Sequence, residues 1–177
     1  MGGQVTCAAE NVLETARLCL RELRADDAGF ILRLLNDESF KQFIGDKSVR
    51  TLDDARGYLD RGPIASYARH GFGLYLVSLR EGAVPIGMCG LVKREALADV
   101  DVGYAFLPEF RSRGYATESA AAVLTFGRER LGLARIVAIT APENRASAAV
   151  LRRIGLRFER TITLEEGGRA LELYVPA

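Results

Sequence analysis

Six consecutive residues, Arg111-Ser112-Arg113-Gly114-Tyr115-Ala116, carry the clearest chemical signal in this chain. They follow an apolar run at 102–107 and precede a helical pattern at 114–131. A short strand–loop–helix joint with glycine at its bend aims successive backbone N–H groups at one point. The helix N-terminus adds about half a positive charge there, which makes an anion site. Arg111 and Arg113 contribute fixed charge in a planar donor fork that suits phosphate. The chemistry implied is a cradle for a phosphate or pyrophosphate. Neither G-x-G-x-x-G nor a Walker lysine accompanies it, so the common dinucleotide and nucleoside-triphosphate patterns are missing.

Other reactive side chains are few. His70 has the best intrinsic pKa for a general base, yet its Arg69-His70-Gly71 setting reads as a solvated loop. Cys89 lies in an apolar strand pattern with no charged neighbour to lower its pKa, and reads as a small buried hydrophobe. Cys7, Cys19 and Cys89 form no C-x-x-C, and one histidine excludes the usual zinc spacings, so no metal is expected. The odd, widely spaced cysteines point to a reducing, cytoplasmic setting. With 24 basic and 23 acidic residues, charge argues against bulk nucleic-acid binding. No apolar run of about 18 residues suggests a membrane span.

These residues need a scaffold, and 177 residues, 49% of them hydrophobic, suffice for one domain that buries roughly 70% of its unfolded surface. Residues 1–13 show little periodicity and read as a flexible tail before a single domain at 14–177. Alternation at 17–23 predicts a strand. Asp26 or Asp27 opens a helix with Phe30, Ile31, Leu34 and Leu35 on its apolar face. Thr51 and Asp54 form a capping-box pattern that starts a second helix, which Gly62-Pro63 is expected to break or kink before Gly71 ends the segment. Strands follow at 74–79 and 86–92 around a Glu81-Gly82 turn, then at 99–107. After the 114–131 helix come a strand at 135–140, a helix at 144–154, and a hairpin of 158–164 with 169–175. This order predicts an α+β fold, a mixed sheet with helices on its faces.

The chain resembles the GNAT superfamily of N-acetyltransferases, in its ribosomal-protein-alanine acetyltransferase-like branch, over about residues 13–177. The resemblance rests on the opening run at 13–21, on Asp101-Val102-Gly103-Tyr104, on the R-x-x-G-x-A loop at 111–116, and on Glu143-Asn144-Arg145-Ala146-Ser147 with Gly155-Leu156. It implies a mostly antiparallel sheet of six to seven strands flanked by about four helices. It also implies an acetyl-CoA-dependent transfer to a primary amine, by direct attack in a ternary complex. The acceptor would be a protein N-terminus or a small molecule, and the protein a monomer or homodimer. A non-catalytic acyl-CoA-binding domain of the same fold is the alternative.

Carried onto this sequence, the resemblance places the coenzyme A pyrophosphate on Arg111, Ser112, Arg113, Gly114, Tyr115, Ala116 and Thr117. Pantetheine would pair with the strand edge at Tyr104, Ala105, Phe106 and Leu107, as an added strand pairs with a sheet. Asn144 would contact pantetheine as well as cap its helix, or serve only as the cap. Ser147, one turn on, would protonate the departing thiolate or be an ordinary first-turn serine. Many members place a tyrosine where this chain has Arg152. Asp101 aligns with a carboxylate common in the branch, as general base or as a structural acceptor, and Glu118 complements the helix dipole. Phe40, Phe43, Ile44, Tyr58 and Tyr67 would line the acceptor groove or belong to the core.

Overall fold

The computed structural model describes residues 10–177. One eight-stranded sheet runs in the order β1-β2-β3-β4-β5-β6-β8-β7. Its strands are β1 (Asn11–Glu14), β2 (Leu18–Glu22), β3 (Leu74–Leu79), β4 (Pro85–Val92), β5 (Val100–Phe106), β6 (Ile136–Thr140), β7 (Leu156–Ile162) and β8 (Leu171–Pro176). Every pairing is antiparallel except β5 with β6. The helices are α1 (Ala28–Leu35), α2 (Glu38–Phe43), α3 (Leu52–Leu59), α4 (Ala65–His70), α5 (Tyr115–Glu129) and α6 (Arg145–Arg153). Among the described residues no helix is long and apolar enough to cross a membrane.

The mixed α+β sheet agrees with the sequence reading, and the element count exceeds it. Strand β1 occupies part of the segment expected to be a flexible tail, because Leu13 pairs with Leu20 and both Val12 and Leu13 pack on the core. The rest of that expected tail, residues 1–9, lies outside the described residues. Helix α2 forms where no helix was expected, capped by Asp37, whose carboxylate accepts from Phe40 N at 3.1 Å. Of the break or kink expected at Gly62-Pro63, no break occurs: a π-helical turn at Asp60–Ile64 joins α3 to α4. A widened turn tolerates the absence of the N–H that proline lacks. The Thr51–Asp54 capping box forms as read, and α4 ends at Gly71 with φ +76°.

Both faces of the sheet are covered, so its central strands are apolar on both sides. On one face Leu20, Val77, Leu91 and Val102 pack with Val123 of α5 and Leu151 of α6. On the other, Leu76 and Met88 meet Ile31, Leu34, Ala55 and Leu59 of α1 and α3. Strands β5 and β6 run parallel for only two pairs, Val100 with Ile136 and Asp101 with Val137. Beyond these, β6 turns to β8 and β5 keeps only β4 as a partner. The sheet therefore opens into a wedge alongside residues 102–106.

Candidate active site

The register of β5 decides which of its backbone groups face the wedge. Leu107 N donates to Ile86 O of β4 at 2.9 Å, and antiparallel pairing alternates along a strand. The N–H groups of Ala105 and Gly103 therefore also point at β4, while those of Tyr104 and Phe106 point into the wedge. The Phe106 carbonyl on that side accepts from Arg111 Nε at 2.9 Å. Of the four residues expected to present this edge, two do so. Ala105 and Leu107 spend their amides within the sheet.

The loop after β5 is held in an unusual backbone path. Ser112 has φ +59° and Gly114 φ +82°. Glu118 N donates to Gly114 O at 3.0 Å as α5 begins. This leaves the N–H groups of Tyr115, Ala116 and Thr117 outside the helical ladder. These residues, with Arg111, Ser112 and Gly114, line a cavity of about 480 Å³. A clamp from the β1–β2 turn fastens the loop. Arg17 Nη1 donates to Arg113 O at 3.0 Å, and its guanidinium pairs with Glu118 at 2.7 Å and lies 4.6 Å from the Tyr115 ring centre. Glu118 also accepts from Thr15 Oγ1 at 2.6 Å and Arg17 N at 2.9 Å. The dipole role read from sequence understates it, since Glu118 ties two distant segments together.

The two loop arginines do not form the expected phosphate fork. Arg111 is bound by Asp37 at the α2 cap and by the Phe106 carbonyl, so its charge already has a partner. Arg113 stands 5.9 Å over the Phe110 ring and is not among the residues lining the cavity. Arg153, at the end of α6, lines it and makes no ion pair among the described residues, a cation the sequence reading missed. Backbone amides therefore dominate this cradle.

The loop's fastening predicts acid sensitivity. Burial raises the pKa of Asp37, but bonds from Ser39, Arg111 and Phe40 N outweigh it and hold the carboxyl below its ordinary 3.8. Glu118 is likewise below its ordinary 4.5, as Thr15 and Arg17 override burial. A depressed folded pKa contributes stability above the unfolded value and loses it as pH falls through the folded value. The melting temperature should therefore hold down to about pH 5 and fall below about pH 4. Glu118→Gln should flatten part of that fall in a pH series of thermal melts; an unchanged acid limb would show that the clamp contributes nothing.

Across the wedge, Asn144 caps α6, its Oδ1 accepting from Ser147 N at 3.0 Å. Its Nδ2 makes no hydrogen bond among the described residues, and Asn144 lines the cavity. Tyr104 reaches from β5 to α6, with its hydroxyl 3.0 Å from Ser147 Oγ and donating to Ser147 O at 3.2 Å. Burial pushes the Tyr104 phenol well above its ordinary pKa, only partly offset by the Ser147 bond.

A second cavity, of about 550 Å³, adjoins the first. Phe40, Ile44, Tyr104 and Ser147 line both. Asp101 forms part of its wall, 1% exposed, with Oδ1 2.9 Å from Arg94 Nε. Burial raises the Asp101 pKa despite Arg94. Strand parity places Asp101 and Tyr104 on opposite faces of β5, so the two candidate catalytic residues, Asp101 and Ser147, border one cavity from different sides.

The pattern of the family described as "Acetyltransferase (GNAT) domain" matches residues 17–157. The chain belongs to the GNAT acetyltransferase family. It is 29% identical over 147 residues to the uncharacterized N-acetyltransferase YnaD of Bacillus subtilis, covering 83% of each. An acetyltransferase structure from Agrobacterium tumefaciens superposes with a TM-score of 0.79, at 25% identity and 93% coverage of both chains. A ribosomal L7/L12 alpha-N-protein acetyltransferase in complex with coenzyme A shares the fold. Its TM-score is 0.80 at 21% identity, over 94% of this chain and 97% of that one.

Within this GNAT fold the remaining sequence expectations sort clearly. Phe40, Phe43, Ile44 and Tyr58 line the second cavity, whereas Tyr67 is a core residue stacked on Tyr75 at 5.7 Å, its hydroxyl accepting from Leu23 N. Arg152 lines neither cavity. Cys89 is fully buried and its thiol is pushed up to about 12, which makes it no nucleophile at neutral pH. His70 borders a separate groove with Arg61, Arg69 and Lys93. Besides Arg153, the Tyr104 hydroxyl contact is not visible in the sequence, because its partner is 43 residues away.

Proposed function

We propose that residues 14–177 form one catalytic domain that transfers the acetyl group of acetyl-CoA to a primary amine by direct attack in a ternary complex. The observation that carries this reading is the continuous cleft, in which an amide-lined cradle, a free strand edge and a second cavity meet at Tyr104 and Ser147. When bound, acetyl-CoA supplies the activated acetyl group. The chain's own groups position it. The amides of Tyr115, Ala116 and Thr117, with Ser112, hold the pyrophosphate, and Arg153 adds charge. Gly114 keeps the cradle open. Backbone groups of Tyr104 and Phe106 pair with pantetheine, and an N–H there polarises the thioester carbonyl. Asn144 Nδ2 donates to the pantetheine arm. Ser147 Oγ protonates the departing sulfur.

The second cavity receives the amine, a protein α-amino group or a small molecule, against Phe40, Phe43, Ile44 and Tyr58. Asp101 takes the proton that an incoming ammonium must lose before attack, directly or through water. Its raised pKa suits that role better than an ordinary carboxylate's would. Holding both reactants in one cleft supplies much of the rate.

Calorimetry with coenzyme A against ATP and NAD tests the donor half, and thiol release from acetyl-CoA with N-terminal peptides and small amines tests the transfer. Equal binding of all three nucleotides would overturn the assignment. Asn144→Ala should raise the KM for acetyl-CoA about fivefold, the equivalent of one hydrogen bond of about 1 kcal/mol. Loss of the cap should also lower the melting temperature by about 3 °C. An unchanged KM would reduce Asn144 to a cap.

A further inference from the structure

Two protons must be handled in such a transfer, and the second has no obvious carrier. After attack the former amine nitrogen carries an extra proton, while the sulfur leaves as thiolate. The nitrogen arrives from the second cavity and the sulfur lies in the first. Only a few residues border both spaces, and among them Tyr104 and Ser147 alone carry hydroxyls. Their oxygens are 3.0 Å apart, and either can donate to the other. Phe40 and Ile44, the other residues common to both cavities, are apolar and offer no competing hydrogen-bond donor there.

We propose that Tyr104 and Ser147 form a two-hydroxyl relay that carries the proton from the acylated nitrogen to the leaving sulfur. The inference rests on reading the cleft as the acetyl-CoA and amine sites. Ser147 Oγ gives its proton to the thiolate as the carbon–sulfur bond breaks. Tyr104 Oη passes its proton to Ser147 Oγ, and the nitrogen of the collapsing intermediate returns one to Tyr104 Oη. Each hydroxyl ends as it began. The products are the amide and free coenzyme A thiol, and no external acid or base enters this step.

Several features fit this role. Burial keeps the phenol neutral, hence able to donate, throughout the physiological range. Tyr104 is anchored on β5, paired through Cys89 to β4, and Ser147 sits in the capped first turn of α6. Both oxygens are thus held by rigid elements, as an in-line relay needs.

Tyr104→Phe keeps the ring and removes the relay, and it is tested with acetyl-CoA and with glycinamide and hydroxylamine as small amine probes. Coenzyme A affinity, read by calorimetry, should stay within about twofold of wild type, while kcat falls about 10- to 100-fold. The proton inventory of kcat in mixed H2O and D2O should be bowed for wild type, with several protons in flight, and linear for the variant. Ser147→Ala should show a similar loss, and the double variant should be no slower than the slower single one, since both act in one chain. A Tyr104→Phe kcat within twofold of wild type would overturn the relay. So would strictly additive losses, or a proton inventory that is linear in the wild type. Failure of the wild type to bind coenzyme A would instead remove the donor-site reading, a separate result.

Discussion

Gly114→Val is expected to abolish coenzyme A binding while the sheet stays folded. Gly114 sits at φ +82°, a left-handed conformation that costs a side-chain-bearing residue about 1–2 kcal/mol and a β-branched one more. A Cβ there would lie 3.3 Å from Arg17 Nη2, pressing on the cation that holds Arg113 O and Glu118. The loop would have to leave its present path. The amides of Tyr115, Ala116 and Thr117 would then no longer converge. Losing two charge-assisted bonds at about 2 kcal/mol each predicts a weakening of about 1000-fold. Calorimetry reads the affinity, and far-UV circular dichroism with a thermal melt reads the fold. A variant that binds normally would show that the cradle lies elsewhere. One that unfolds outright would show that the clamp carries global stability, which a surface loop should not.

The largest stability loss is expected at Gly90, in the middle of β4. A Cβ at this position would sit 2.1 Å from Gly73 O and 2.7 Å from Leu74 Cα. Both are backbone atoms at the point where the chain enters β3, and Leu91 N already donates to Gly73 O at 3.0 Å. No rotamer change relieves that clash; β4 would have to separate from the start of β3, where Gly90 pairs with Leu74. Overpacking of this kind predicts a loss of about 3 kcal/mol or more for Gly90→Ala, a drop of roughly 10 °C in melting temperature. Gly29 is the matched control. It lies in α1 with nothing within 4 Å of its Cβ position, so Gly29→Ala should gain about 0.5–1 kcal/mol through helix propensity. Equal effects from the two alanines would refute the close-approach argument.

Much of the scaffold was legible because its signals are local. Alternation marked β2, the Glu81-Gly82 turn marked the β3–β4 hairpin, the Thr51–Asp54 pair marked the start of α3, and Gly71 marked the end of α4. Where local signals were weak, the reading failed in specific ways. Nothing in 11–14 shows the alternation of a strand, and only pairing with β2 makes it one. Gly62-Pro63 is a breaker by propensity, but packing of the surrounding turns holds the helix together through a π-helical step. Tyr67 could be assigned to the groove or to the core only once the structure was known, because sequence shows a residue's type and not the side of the helix that meets the sheet.

The sequence by itself determined the ingredients of the site: a glycine-bearing loop before a long helix, an asparagine–serine helix start, and a strand between them. Each is written in residues close together in the chain. Tertiary structure decided how they act. It opened the sheet beyond Asp101, so that only Tyr104 and Phe106 offer backbone groups to the wedge. It gave Arg111 to Asp37, 74 residues away, so the backbone amides at 115–117 face the cavity without the arginine charge expected beside them. It fastened that cradle through Arg17 and Glu118, 101 residues apart, and brought the Tyr104 hydroxyl onto Ser147. The division has one physical cause. Backbone preference and capping act within a few residues, whereas a side chain's partner depends on which distant surface the packed core brings within about 3 Å.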